Sequence, residues 1–285
     1  MNGKVSVIMA VYNCADTISK AIDSILVQTY ENWVMIICDD GSTDDTWGIL
    51  KQYQAQYPDR FVLLQNKENK KLPYSLNRCL KYVNTELVAR MDGDDWSAPE
   101  RFEKQVNFLQ THPEYDLVGT GIRVSTGNEV LTAIVQPLTP VPEDMLHCNC
   151  FSHATIMTYK RVYDALDGYS SDPSVERCED LDLWSRFFAA GFHGYNLPDE
   201  LYTILEDENA VRRRDLRNRL NTAKTLNNAY KRMNLSGFAC FRKAYFQVLT
   251  YFIPMGVYKK LHIWKMTQRT KKNSEENEKS FISNP

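Results

Sequence analysis

No stretch of the chain reaches the roughly 18 uninterrupted apolar residues that a membrane-spanning helix needs, so none is expected. A cleavable leader is not expected either. Met1-Asn2-Gly3-Lys4 runs straight into a strand-like segment, and the apolar part is interrupted too soon to form a signal-peptide core. Internal repeats are lacking. The seven cysteines are odd in number and scattered, several of them within apolar strand or helix patterns. They imply no disulfide framework, and a reduced, cytoplasmic protein is the simplest expectation. Acidic residues are nearly missing from one region. Residues 212–272 carry 16 Lys and Arg and the single acid Asp215, whereas residues 1–211 carry 17 Lys and Arg against 32 Asp and Glu. The net charge of -2 conceals this contrast. A basic segment on an acidic body points to an anionic partner, either a lipid surface or a nucleic acid.

Strands and helices alternate over the first hundred residues. Val5 to Val11 reads as a buried strand, and Ile18, Ala21, Ile22, Ile25 and Leu26 then fall on one helical face. Trp33 to Cys38 is a second strand, ending abruptly in Asp39-Asp40-Gly41-Ser42, and a helix with Trp47, Leu50, Tyr53 and Tyr57 follows. The strand Phe61 to Leu64, a helix through Leu76 and Val83, and the strand Glu86 to Met91 continue the pattern. Such alternation predicts an α/β fold with a mostly parallel sheet and right-handed crossovers. Polar residues gather after the strands, where open α/β sheets bind ligands. Ser97-Ala98-Pro99-Glu100 has the form of a capping box opening a helix to about Thr111. The stretch 115–178 is less regular and is expected to build one side of a cleft. Leu181 to Ala190 is again helical, stopped by Gly191.

Asp92 and Asp94 stand two apart at a strand end, so an extended backbone projects their carboxylates to the same side. Hard oxygen ligands of this kind suit Mg²⁺ or Mn²⁺, which also take oxygens from a diphosphate. A solvated acidic turn with Gly93 at its tip is the alternative. His147-Cys148-Asn149-Cys150 invites a zinc reading, but its Cys-x-Cys spacing is unusual for structural zinc and no second cysteine pair lies at a suitable distance.

Three strand ends (Tyr12-Asn13, Asp39-Asp40-Gly41-Ser42-Thr43-Asp44 and Met91-Asp92-Gly93-Asp94-Asp95) resemble the family 2 glycosyltransferases. So do Ser97 to Phe102, His153-Ala154-Thr155-Ile156-Met157 and Glu179-Asp180-Leu181-Asp182-Leu183-Trp184-Ser185-Arg186. The resemblance covers about residues 4–205 and is nearest to members that build bacterial surface polysaccharides. It implies a GT-A fold, Rossmann-like, with the parallel sheet flanked by helices and a C-terminal helical extension. It implies a nucleotide-sugar donor, a UDP-sugar above all, and a glycan or lipid-diphosphate-linked acceptor. By motif position Ala10 and Tyr12 line the base site and Asp40 accepts the N3–H of uracil. One of Asp39 and Asp40 is expected to cap the following helix and the other to bind. Asp94 is then the main ligand of Mn²⁺ or Mg²⁺, Asp92 lies near the ribose or metal, and Asp95 binds through water or positions the donor sugar. Asp180 is the base of an inverting transfer, with Glu179 the second candidate, and His153 sits near donor or acceptor. Both acids open a helix, whose N-terminal dipole favours the ionised carboxylate. Asp182, Trp184 and Arg186 are expected to position that helix. Many relatives carry a metal-completing histidine near position 203. Here Leu201 to Asp207 has none, so Glu206, Asp207 or water is expected in its place.

The expected organisation is a catalytic domain over 1–211, split near 105 into a nucleotide-sugar-binding half (1–105) and an acceptor-binding half (106–211). A basic, aromatic-rich helical extension over 212–272 and a disordered tail over 273–285 follow. Aromatics from Phe238 to Phe252 flanked by lysines and arginines suit helices lying on an anionic membrane surface, which would make the protein peripheral on the inner face of the membrane. Packing as a helical cap on the catalytic domain is the alternative. A nucleic-acid partner is not expected, because the acidic body would repel a phosphate backbone. A non-catalytic sugar-nucleotide sensor would not need both Asp94 and Asp180. A nucleotidyltransferase would need an activating Gly-rich loop that is lacking here.

Overall fold

The computed structural model describes residues 3–127, 129–146, 149–205 and 216–249, together with Ile253 and Val257. In chain order the elements begin with β1 (Val5–Val11), α1 (Ile18–Leu26), β2 (Trp33–Asp39), α2 (Thr46–Gln56), β3 (Phe61–Gln65) and α3 (Leu72–Leu80). Next come β4 (Leu87–Arg90), β5 (Trp96–Ser97), α4 (Arg101–Thr111), β6 (Leu117–Ser125) and β7 (Val130–Ile134). The series ends with β8 (Met157–Tyr159), α5 (Lys160–Ala165), α6 (Glu179–Ala189), β9 (Gly194–Leu205), α7 (Leu216–Arg232) and α8 (Phe238–Leu249). Among the described residues the strands form one sheet in the order β3-β2-β1-β4-β8-β6-β9-β5, with β7 paired to β6.

The half β3-β2-β1-β4 is parallel, as the alternation of elements predicts. Its strands are continuous apolar runs because both faces are covered. Val5, Val7, Met9 and Val11 share one core with α1 and α4, while Ile8, Ile36 and Cys38 lie in a second with α3, which also takes in residues of α6 and α7. Beyond β4 the sheet turns mixed: β8 runs antiparallel to both β4 and β6, and β6 pairs parallel with β9. The stretch read as irregular from the sequence therefore holds three strands. At Gly119 in β6 a Cβ would come within 2.3 Å of the Asn196 side chain of β9, so only glycine allows the two strands their approach.

Two local expectations fail. The capping box does not form: α4 starts at Arg101 without a side-chain cap, and Ser97, in β5, instead takes an N–H from Arg101 at 3.3 Å. Neither Asp39 nor Asp40 caps α2. Its N-cap is Asp45, which makes no side-chain cap bond, and the preceding Asp44 takes the first helical N–H: its Oδ1 accepts the Thr46 N–H at 3.0 Å and the Thr46 hydroxyl at 2.5 Å. α6 begins and ends as expected, closed by Gly191 at φ +79.

α7 packs on α6 through Leu226, Ala229 and Tyr230, which join Trp184 and Phe187 in one core. Among its described side chains α8 buries Cys240 and Ala244, its small face. Phe238, Phe241, Tyr245, Phe246 and Leu249 lie at 3- and 4-residue spacing on the opposite face and are exposed, Phe238 at 77%. Among the described residues no helix is long and apolar enough to cross a membrane. The six described cysteines are unbridged. The expected tail 273–285 and most of the 250–272 stretch lie outside the described residues.

Candidate active site

The carboxyl ends of β1, β2 and β4 meet at one edge of the sheet. The β1 and β2 loops are laced together: the Asn13 N–H donates to Ser42 Oγ at 2.9 Å, and Asn13 Oδ1 accepts the Thr43 N–H at 2.8 Å. Asn13 adopts φ +53 to do this, a conformation asparagine tolerates. Tyr12 stands beside it at 44% exposure, an open aromatic face, with Ala10 partly buried at the strand end. Asp40 is buried, and its oxygens serve the protein first. Oδ1 accepts from Asn66 Nδ2 (2.6 Å), Ser75 Oγ (2.9 Å) and the Lys70 N–H (2.8 Å), while Oδ2 accepts the Lys71 N–H (2.8 Å). The capacity left for a ligand is on Oδ2 alone. Asp39 accepts from the Ser42 N–H and from Gln65, each at 3.0 Å.

The loop after β4 carries the acidic cluster. Carboxylate oxygens of Asp92, Asp94 and Asp95 lie within 4.8 Å of one another, with Asp92 partly buried, Asp94 exposed and Asp95 buried. The loop lies tight on β1: a Cβ at Gly93 would fall 2.6 Å from Val11 Cγ1. Tyr202 of β9 accepts the Asp92 N–H at 3.0 Å, and the Leu205 N–H donates to Asp95 at 3.0 Å. The Asp95 carboxyl is pushed up to about 8, by burial first and then by the charges of Asp92 and Asp94. A divalent cation relieves that crowding, so the donor set fits Mg²⁺ or Mn²⁺. Glu206 and Asp207, expected as stand-ins for the missing histidine, lie outside the described residues, as do His147 and Cys148 of the disfavoured zinc motif.

Arg90 was not singled out in the sequence and proves central. It is buried in β4, and its two terminal nitrogens grip both oxygens of Asp92, at 2.8 and 2.7 Å. Asp92, expected as a metal ligand or ribose contact, is therefore first of all a partner of Arg90. Burial opposes the guanidinium's charge, and Asp92, helped by Tyr169 and Tyr202, more than offsets it. Its field reaches His153, Glu179 and Asp180 as well. From beneath, fully buried Arg101 donates to the Arg90 carbonyl at 2.8 Å, which accounts for the arginine of the Ser97–Phe102 motif. Arg90→Met leaves Asp92 unpaired. It should destabilise the protein by about 3 kcal/mol, the lower end for a broken buried pair because Asp92 keeps 28% side-chain exposure. Urea unfolding of the variant beside the wild type checks this.

Glu179 and Asp180 open α6, both half-buried and within the field of Arg90, and Glu179 also within that of Asp92. The helix start acts on both as expected, its N–H groups favouring the ionised form, but it is not the largest influence. Burial raises both carboxyls above their ordinary values, and helix N–H groups and Arg90 only partly counter it. Asp180 Oδ1 accepts the Leu181 N–H at 2.8 Å. Asp182, Trp184 and Arg186 hold the helix in place: Asp182 pairs with Arg186 at 2.7 Å and Arg232 at 3.0 Å, Arg186 donates to the Gly168 carbonyl, and Trp184 is buried against Phe151 and His153. His153 shares a hydrogen bond from Nε2 with the Tyr169 hydroxyl at 2.9 Å, and Tyr169 another with Tyr163 at 3.0 Å. Burial, then the charge of Arg90, pushes His153 well below the usual histidine value, so it is neutral.

Residues 6–156 match the family described as "Glycosyl transferase family 2". The chain belongs to glycosyl transferase family 2. It is 47% identical over 232 residues to EpsE of Bacillus subtilis (strain 168), covering 81% of this chain and 84% of that protein. It is 30% identical over 212 residues to WfaP of Escherichia coli, a UDP-Glc:alpha-D-GlcNAc-diphosphoundecaprenol beta-1,3-glucosyltransferase, covering 70% of this chain and 77% of WfaP. In fold it resembles residues 1–349 of S. aureus TarS solved with UDP-GlcNAc, at a TM-score of 0.68 and 17% identity over 87% of this chain and 73% of that one. A mannosyltransferase from Pyrobaculum calidifontis solved with GDP-Man and Mn²⁺ aligns at a TM-score of 0.63 and 16% identity, covering 95% of this chain and 87% of its own. This family 2 glycosyltransferase thus has the GT-A-like α/β architecture that its motifs imply.

Proposed function

We propose that the protein transfers a sugar, with inversion, from a UDP-sugar to a hydroxyl of a glycan or lipid-diphosphate-linked acceptor in bacterial polysaccharide biosynthesis. Residues 1–211 would form the catalytic unit. The observation that carries this reading is the Asp92-Asp94-Asp95 cluster at the edge of the parallel half-sheet, with the half-buried acids that open α6 in the field of the same Arg90 that grips Asp92. UDP stands in solved complexes of a structural neighbour, and the acceptor in the name of WfaP is lipid-diphosphate-linked.

In this reading Tyr12 stacks on the base, beside Ala10, and Asp40 Oδ2 takes its N3–H. Asp94, with Asp95 and the free lone pairs of Asp92, holds Mg²⁺ or Mn²⁺. The ion supplies Lewis-acid stabilisation of the charge that builds on the departing nucleoside diphosphate. Arg90 fixes Asp92, and Tyr202 fixes the loop backbone, so the carboxylates stay in place through the reaction. Asp180 takes the proton of the attacking hydroxyl, and its raised affinity for protons makes it a stronger base than an exposed aspartate. Neutral His153 contributes no charge and offers Nδ1 to a sugar hydroxyl. A screen of nucleotide sugars with Mn²⁺ or Mg²⁺, read by release of the nucleoside diphosphate, tests the proposal. Turnover of none of them would overturn it.

The exposed aromatic face of α8, with Arg242 on the same side, supports a peripheral position on an anionic bilayer. The full chain should float with anionic vesicles and not with neutral ones, and salt should release it. Phe241→Glu/Phe246→Glu should stay with the soluble fraction. Equal flotation of that variant, or none of the wild type, contradicts the assignment.

A further inference from the structure

A groove of about 900 Å³ lies apart from the aspartate cluster, between α3, α5, the 166–171 loop and α6. Arg78, Lys81, Lys160, Arg186 and Arg232 line it, with Tyr74 at 43% exposure on its wall. Its carboxylates are Asp164, Asp167 and Asp182. Lys160 is paired with Asp164 at 2.6 Å, while Arg186 and Arg232 share the one charge of Asp182. Cationic charge is therefore in surplus. Lys81 is exposed and pairs with none of the three acids, and Nη2 of Arg186 is buried without a hydrogen-bond partner. A neutral glycan has no use for that surplus. A phosphate ester does.

The groove is placed between two other features. On one side Tyr169 belongs both to its wall and to the hydrogen bond with His153. Arg186 lies six residues beyond Asp180 on α6, about 9 Å of helix rise and about 120° around its axis, so the two project from adjoining flanks of one helix. On the other side Arg232 ends α7, and six residues later the exposed aromatic face of α8 begins at Phe238.

We propose that this groove binds the diphosphate of a prenyl-type lipid acceptor, with the acceptor sugar directed to Asp180 and the lipid chain leaving beside α8. The inference rests on the reading that the acceptor is lipid-diphosphate-linked and gives that acceptor a site on this chain. Lys81 supplies the exposed donor and the buried guanidinium of Arg186 the charge behind it, and the donor nucleotide's own diphosphate belongs to the aspartate cluster.

The test is calorimetric titration of the full chain with farnesyl diphosphate and with inorganic pyrophosphate, in EDTA so that the metal site is disabled. Farnesyl diphosphate should bind the wild type and Asp94→Asn alike, and more tightly than pyrophosphate. Lys81→Glu should weaken it about tenfold and Lys81→Gln by less, the loss of one charge-assisted contact on an exposed helix face. Melting curves matching the wild type confirm that both variants fold. No binding in EDTA, or binding lost in Asp94→Asn but kept in Lys81→Glu, overturns the site. Equal affinity for the two probes overturns its lipid assignment. Binding here without any transfer to a lipid-diphosphate acceptor would count against the acceptor reading and leave the groove's ligand intact.

Discussion

Asp94→Asn is expected to give a folded protein that transfers no sugar. Asp94 is the exposed member of the three carboxylates, so its replacement should change stability by no more than about 0.5 kcal/mol. The effect on activity is large because the amide keeps the shape and loses the charge. Asp95 is buried and its carboxyl is raised to about 8, and Asp92 is gripped through both oxygens by Arg90. Neither is placed to replace Asp94 as the principal oxygen donor to a divalent ion. A bound metal contributes several kcal/mol at the leaving diphosphate, which amounts to about three orders of magnitude in rate. Turnover of a UDP-sugar with Mn²⁺ and a metal-dependent thermal shift with UDP check this together. Both should vanish in Asp94→Asn, and wild-type turnover should vanish in EDTA. Undiminished turnover in EDTA, or in the variant, removes the metal from the mechanism.

The strand ends that build this site were legible because β1, β2 and β4 are continuous apolar runs cut off by polar residues, the mark of strands covered on both faces. β6 and β9 were not. Leu117 to Ser125 has glycines at 119 and 121 where the strands approach, and β9 runs through Pro198, so neither shows an apolar run or an alternation. Ser97 to Glu100 misled for a tertiary reason: Ser97 is drawn into β5, where its N–H donates to Ser24 Oγ and its hydroxyl accepts from Arg101. Arg90 had a signal of its own. It is the lone cation in Leu87-Val88-Ala89-Arg90-Met91, and the two-residue spacing that sets Asp92 beside Asp94 also sets Arg90 beside Asp92. For the helix that carries Glu179 and Asp180, position alone suggested ionised acids. The opposing effect, burial beneath the packed loops, depends on contacts between distant parts of the chain.

Asp180→Asn should bind UDP and metal as the wild type does and lose roughly 10²- to 10⁴-fold in kcat, the contribution of a positioned general base. The asparagine keeps the Leu181 N–H contact at the start of α6, so the helix should hold. Glu179→Gln should keep most of the activity, and the two variants together discriminate between the acids. If Glu179→Gln is the inactive one, the roles are reversed. The pH profile carries the same assignment. A base works only when its proton is off, and burial raises the Asp180 carboxyl above its ordinary value. The acid limb of kcat/KM should accordingly lie at higher pH than an exposed aspartate would give, with activity falling as pH drops through it. Arg90 lowers the same carboxyl, so Arg90→Met should move the limb to still higher pH in whatever activity it retains. A profile flat through the carboxylate range would exclude Asp180 as the base. Product with the donor's anomeric configuration retained would exclude direct displacement by a base-activated hydroxyl, because a single in-line step at the anomeric carbon must invert it.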